Sequence, residues 1–176
     1  MDYSFERGLD QNQVERLAAL TFVKESRDLF ITGPTGTGKS YLATALGNKA
    51  CQEGYRVLYA STAKLMSTLK IGKVKGTILN DLKRIERMDL LILDDFCMQS
   101  FDSQTRGILM DIIEDRLQKK STMITSQLPV KGWYDAIWEK TVADAILDRL
   151  VHNALRVELF GESIRKRKTK NNNCYL

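Results

Sequence analysis

The chain has 176 residues, a length suited to one domain that buries roughly 70% of its unfolded surface. Hydrophobic residues make up 43% and charged residues 28%, and no apolar run approaches the ~20 residues needed to cross a bilayer. The net charge of +5 is unevenly placed, which leaves a nearly neutral body and two segments suited to a polyanion.

The N-terminal residues Met1-Asp2-Tyr3-Ser4-Phe5-Glu6 lack a basic region followed by an apolar one, so they do not read as a signal peptide. Cys51, Cys97 and Cys174 are isolated and odd in number, as expected of incidental or buried thiols in a reducing cytosol. Residues 11–25 place Val14, Leu17, Ala18, Leu20, Thr21 and Phe22 near helical spacing, with Asp10 as N-cap. The spacing predicts one amphipathic helix there.

Leu29-Phe30-Ile31-Thr32 then reads as a first strand, running into Gly33-Pro34-Thr35-Gly36-Thr37-Gly38-Lys39-Ser40 and a helix to about residue 52. The loop fits the G-x-x-x-x-G-K-[ST] pattern, with Gly33 and Gly38 at the required spacing. Glycines let successive N–H groups turn inward on one anion, and the helix N-terminus adds partial positive charge. Lys39 is expected on the β- and γ-phosphates and Ser40 on Mg2+, with residues 33–41, Tyr41 included, as the candidate nucleotide-binding set.

Arg56-Val57-Leu58-Tyr59-Ala60-Ser61 is a second strand, rich in β-formers. Residues 62–70 and 76–87 read as two helical pieces separated by Gly72 and Gly76. This stretch carries Lys64, Lys70, Lys73, Lys75, Lys83, Arg84 and Arg87 against Asp81 and Glu86. It is either a DNA-contacting surface or a solvated helical face.

Met88-Asp89-Leu90-Leu91-Ile92-Leu93 is the apolar run of a parallel strand buried on both faces, and it ends in Asp94-Asp95. In an open parallel sheet, ligands gather at the carboxyl ends of the strands, where the glycine-rich loop also lies. Asp94 is therefore the candidate Mg2+ carboxylate and Asp95 the group that orients or deprotonates the attacking water; the alternative is a pair of helix-capping acids.

Residues 102–118 have the period of a long helix, and Thr122-Met123-Ile124-Thr125 is a fourth strand leading into Ser126-Gln127-Leu128-Pro129. Gln127 is placed to position water or sense a phosphate, or else belongs to a simple turn. Trp133, Tyr134, Ile137 and Trp138 read as packing, and His152 has no ligand spacing around it. A helix over 141–152 and a fifth strand at 155–159 follow. Alternating strands and helices predict βαβ crossovers and a five-stranded parallel sheet. On the residues alone, Asp148-Arg149 is a surface ion pair or the source of an arginine for a γ-phosphate.

The whole chain resembles the ATPase module of the IstB family, AAA+ helpers of insertion-sequence transposition. The likeness rests on Gly33–Ser40, on Leu90-Leu91-Ile92-Leu93-Asp94-Asp95-Phe96 and on Ile112-Ile113-Glu114-Asp115-Arg116. It rests also on residues 121–130, on 143–154, and on Gly161-Glu162-Ser163-Ile164-Arg165-Lys166. Helicase loaders and replication initiators are more distant relatives.

The resemblance implies an α/β P-loop NTPase of AAA+ type with an abbreviated C-terminal lid, using ATP and Mg2+ in the bacterial cytoplasm. It implies an ATP-dependent homo-oligomer on double-stranded DNA that recruits or regulates a transposase. Arg149 then becomes an arginine that reaches a neighbour's nucleotide, Gln127 a first sensor, and Arg165 a candidate second sensor. Lys64, Lys70, Lys73, Lys75, Lys83 and Arg84 become DNA contacts. A DnaC-like helicase loader is the runner-up, and a small-molecule kinase a remote third.

One departure is Asp95, where AAA+ proteins generally carry glutamate; the shorter side chain puts efficient water activation in doubt. The expected layout is a core over 1–160 with a helical insert at about 62–87, then a basic flexible tail over 161–176. The family's N-terminal helical domain, thought to engage the transposase, is expected to be missing.

Overall fold

Each strand sends alternate side chains to opposite faces, and this alternation sorts the molecule into three layers. The computed structural model describes residues 11–161 except Trp138 and Asn153, together with Ser163. Asp10, Trp138, Cys174, Arg165 and the rest of the basic tail thus lie outside the described residues.

The order is α1 (Gln11–Ala18), α2 (Thr21–Lys24), β1 (Leu29–Thr32), α3 (Lys39–Gln52), β2 (Val57–Ser61), α4 (Thr62–Lys75) and α5 (Ile78–Glu86). It continues with β3 (Leu90–Asp94), α6 (Ser103–Arg116), β4 (Ser121–Ser126), a 3-10 turn (Val130–Gly132), α7 (Trp133–Ile137), α8 (Lys140–Val151) and β5 (Leu155–Glu158). The five strands lie in the order β2-β3-β4-β1-β5, every pair parallel. The predicted five-stranded parallel α/β sheet is therefore present.

Leu29, Ile31, Leu90, Ile92 and Met123 pack on one face with α1, α2 and α3. Phe30, Leu91, Leu93 and Ile124 point the other way, into a core shared with α4 to α8. Trp133 is fully buried on that second face, edge-on to Phe30 and Phe96 at 5.0 and 4.9 Å, and its Nε1 donates to Leu128 O at 3.1 Å. Its packing role follows.

Two local expectations change. The helix expected over 11–25 is broken, because Leu20 takes a left-handed backbone (φ 55°) between α1 and α2. Further on, α4 runs through Gly72 and stops only at Gly76, which takes φ 76°. Gly72 is a contact point rather than a break: a Cβ there would stand 2.8 Å from Asp81 Oδ2 of α5. The missing side chain lets α4 and α5 close into a hairpin.

The register aligns the carboxyl ends of the strands, pairing Ser61 with Asp94 and Thr32 with Ser126. The glycine-rich loop, the paired acids and the end of β4 thereby share one edge.

Candidate nucleotide site

The loop between β1 and α3 is built by three glycines with positive φ, Gly33, Gly36 and Gly38 at 144°, 85° and 100°. Gly33 also lies beneath the chain leaving β5, where a Cβ would stand 2.2 Å from the Leu159 carbonyl oxygen. No L side chain fits there.

Lys39 opens α3 and is only 6% exposed. Its Nζ donates to Gly33 O at 2.7 Å and Pro34 O at 2.9 Å, so the ammonium sits inside the loop. Burial lowers its pKa from the ordinary lysine value, while Asp95 and then Asp94 pull it back up. Thr37 is buried and donates to Pro34 O at 2.9 Å, closing the turn, whereas Tyr41 is exposed.

Asp94 ends β3 and collects hydroxyl groups from three elements. Ser40 donates to its Oδ1 at 3.0 Å, Thr125 of β4 donates to the same oxygen, and Tyr59 of β2 donates to Oδ2. Thr62, the first residue of α4, donates to the Asp94 main-chain oxygen at 2.8 Å. Burial, and after it Asp94, pushes the Tyr59 phenol up to about 12, so the hydroxyl keeps its proton and acts as donor.

Asp95 follows in a left-handed backbone (φ 56°), and its N–H donates to Thr125 Oγ1 at 3.2 Å. Aspartate tolerates this conformation better than longer side chains do. The turn is held further by Phe96 N donating to Thr125 O and by Ser126 Oγ donating to Phe96 O, both at 2.8 Å. Cys97, buried in the same turn, has its thiol pushed up to about 12 by burial, which removes it as a nucleophile.

A family model described as IstB-like ATP binding protein matches residues 1–172. The chain belongs to this IstB-like family. It is 43% identical to a Sinorhizobium fredii protein named as an insertion sequence ATP-binding protein, over 97% of this chain and 69% of that one. A Pseudomonas aeruginosa protein named for ATP binding in insertion sequence IS21 is 32% identical, over 96% of this chain and 64% of that one. The chain thus spans about two thirds of the length of these relatives. Among solved structures, replication initiator DnaA bound to AMPPCP and single-stranded DNA superposes with TM-score 0.72 at 25% identity, over 94% of this chain and 53% of that one. The DnaC helicase loader superposes with TM-score 0.72 at 22% identity, over 90% and 95%, a likeness of fold. The IstB-like chain therefore has the AAA+ P-loop architecture.

The remaining expected residues are bonded to other partners or exposed. Gln127 sits just past β4 with Nε2 3.6 Å from Met98 Sδ, and it is not among the groups bonded to Asp94. Arg149, on α8, pairs with Glu114 of α6 at 3.0 Å and donates to Ala145 O at 2.9 Å; Asp148 faces His152 instead. On the α4–α5 hairpin, Lys64, Lys73, Lys75, Lys83 and Arg84 are exposed, whereas Lys70 is held by Asp102 at 2.6 Å. Tyr59 and Thr125 are the residues sequence reasoning missed. The available signal was their place on β2 and β4, toward the carboxyl ends of the strands on either side of β3.

Proposed function

We propose that this chain is the ATPase module of an insertion-sequence helper that works as an ATP-dependent oligomer on duplex DNA and acts on a transposase. The observation that carries the reading is the convergence of Lys39, Ser40, Asp94 and Asp95 at one edge of the sheet.

The donor set fits Mg2+. One carboxylate and one hydroxyl stand 3.0 Å apart, and among the described residues no cluster of three or more His, Cys, Asp or Glu could hold a metal without a partner. Mg2+ is commonly held by one or two carboxylates together with substrate phosphates and waters. Bound by Ser40 and Asp94, it would neutralise charge on the β- and γ-phosphates.

The chain's own groups then divide the work. The loop N–H groups and Lys39 hold the triphosphate. Asp95 aligns a water and takes its proton as the oxygen attacks the γ-phosphorus and the bond to ADP breaks. Arg149 of a neighbouring copy meets the charge spreading over the transferred phosphoryl group. To do so it leaves Glu114, an exposed pair worth under about 1 kcal/mol. The AMPPCP-bound initiator of like fold supports the nucleotide part of this reading, and the names of the relatives support the insertion-sequence part.

The exposed lysines of the α4–α5 hairpin supply phosphate contacts without a base-reading motif. Each should contribute about −0.9 to the slope of log affinity against log salt on duplex.

The test is ATPase rate per subunit against protein concentration, with and without duplex DNA. The rate should rise with both, and a mixture of Arg149→Ala and Lys39→Ala proteins should turn over ATP where neither does alone. A rate independent of concentration and DNA would remove the shared site.

A further inference from the structure

Three hydroxyl groups share one carboxylate at Asp94, and they are not equivalent. Ser40 and Thr125 both reach Oδ1, from the first turn of α3 and from the end of β4. Thr125 is itself fixed, since its oxygen accepts from Asp95 N and its residue is fully buried. Oδ2 is reached by Tyr59 alone among the contacts described, from β2 at the edge of the sheet. Turning the planar carboxylate about its Cβ–Cγ bond moves both oxygens together, and because that torsion is broad and roughly two-fold a bond at Oδ2 adds to those at Oδ1 in fixing it. Tyr59 supplies the second point of attachment. The Ser61–Asp94 register brings its strand alongside, and the ring passes beside α3, with the hydroxyl near Thr44 and Ser40.

We propose that Tyr59 is a positioning residue of the metal site, whose hydroxyl sets the orientation in which Asp94 presents itself to Mg2+. The proposal rests on the reading of Asp94 as the Mg2+ carboxylate. Hydrogen bonds that orient a metal ligand typically hold about 10- to 100-fold in metal affinity. Tyr59 is 43% exposed, so replacing it with phenylalanine removes the hydroxyl while keeping the ring at the sheet edge.

The experiment uses the full chain and a fluorescent ADP analogue, titrated with MgCl2 or held in EDTA. Tyr59→Phe should raise the Mg2+ concentration at half-saturation about tenfold or more, with affinity in EDTA unchanged. Thr62→Val is the control, because its hydroxyl goes to the Asp94 main-chain oxygen and not to the carboxylate. It should lower the unfolding temperature and leave the Mg2+ half-saturation point in place. An unchanged or tighter Mg2+ response in Tyr59→Phe overturns the proposal. So does an equal loss in EDTA, or an equal Mg2+ shift in Thr62→Val, either of which means a general slackening of the strand ends. A wild-type protein whose ADP affinity ignores Mg2+ would instead defeat the underlying reading of Asp94, and it would do so before any variant is made.

Discussion

Two buried cations stand at opposite edges of the sheet, and their partners separate a site from a staple. Lys39, at the carboxyl edge, spends two of its three donors on the carbonyls of its own loop. Two carboxylates lie close enough to favour its charge, and the loop around it is shaped for an anion. Arg116, at the amino edge, is 1% exposed and its guanidinium is closed by its own chain. It donates to Ile85 O and Met88 O at 2.9 Å, to Thr122 Oγ1 at 3.2 Å, and to Ser121 O. Burial pulls it down to about 10, against the pull of Asp28 and Asp89. Burial of a cation therefore says little by itself. What distinguishes the two is whether the partner set is complete.

The largest effect is expected at the staple. Arg116→Met takes the side-chain donor from three main-chain carbonyls, and it should cost about 3–5 kcal/mol in urea unfolding while leaving nucleotide affinity of the folded protein intact. Lost affinity with unchanged stability would break the comparison.

The second prediction concerns Asp28, which accepts from Thr122 N at 2.7 Å and whose carboxyl is raised to about 6, mainly by burial. The folded state holds this proton more tightly than the unfolded chain does. Its contribution to stability is therefore present below about pH 4 and is lost as pH rises through about 6, up to about 3 kcal/mol in all. Asp28→Asn, read by unfolding free energy across that window, should flatten this part of the curve.

At the site the effect is smaller in stability and appears in binding. Lys39→Ala should weaken ATP about 10- to 100-fold by equilibrium titration, the range of a hydrogen bond to a charged group. Its unfolding midpoint should fall far less than that of Arg116→Met, because the ammonium makes two bonds, both to carbonyls, where the guanidinium makes four. A large drop in stability would make Lys39 a second staple.

Much of the fold could be read along the chain. Leu29–Thr32 carries the same bounds in the sequence reading and the structure, and the apolar run before Asp94 is a central strand buried along its whole length. These are local patterns, of length, apolarity and glycine spacing. The misreadings are also local in kind. Leu20 carries no mark of a left-handed backbone, and Gly72 looks like a break because its reason, the approach of α5, lies outside its own helix.

The sequence by itself determined the nucleotide loop, the paired acids and the parallel alternation, because each is written in neighbouring residues. Tertiary structure alone decided which hydroxyls gather on Asp94 and where the two buried cations end. Tyr59 and Thr125 come from 35 and 31 residues away, and only the pairing of β2 and β4 on either side of β3 brings them to one carboxylate. Arg149 likewise meets Glu114 rather than its neighbour Asp148, because α8 packs on α6 and turns the guanidinium toward it. Such contacts depend on strand register and helix packing, which no stretch of the chain specifies alone.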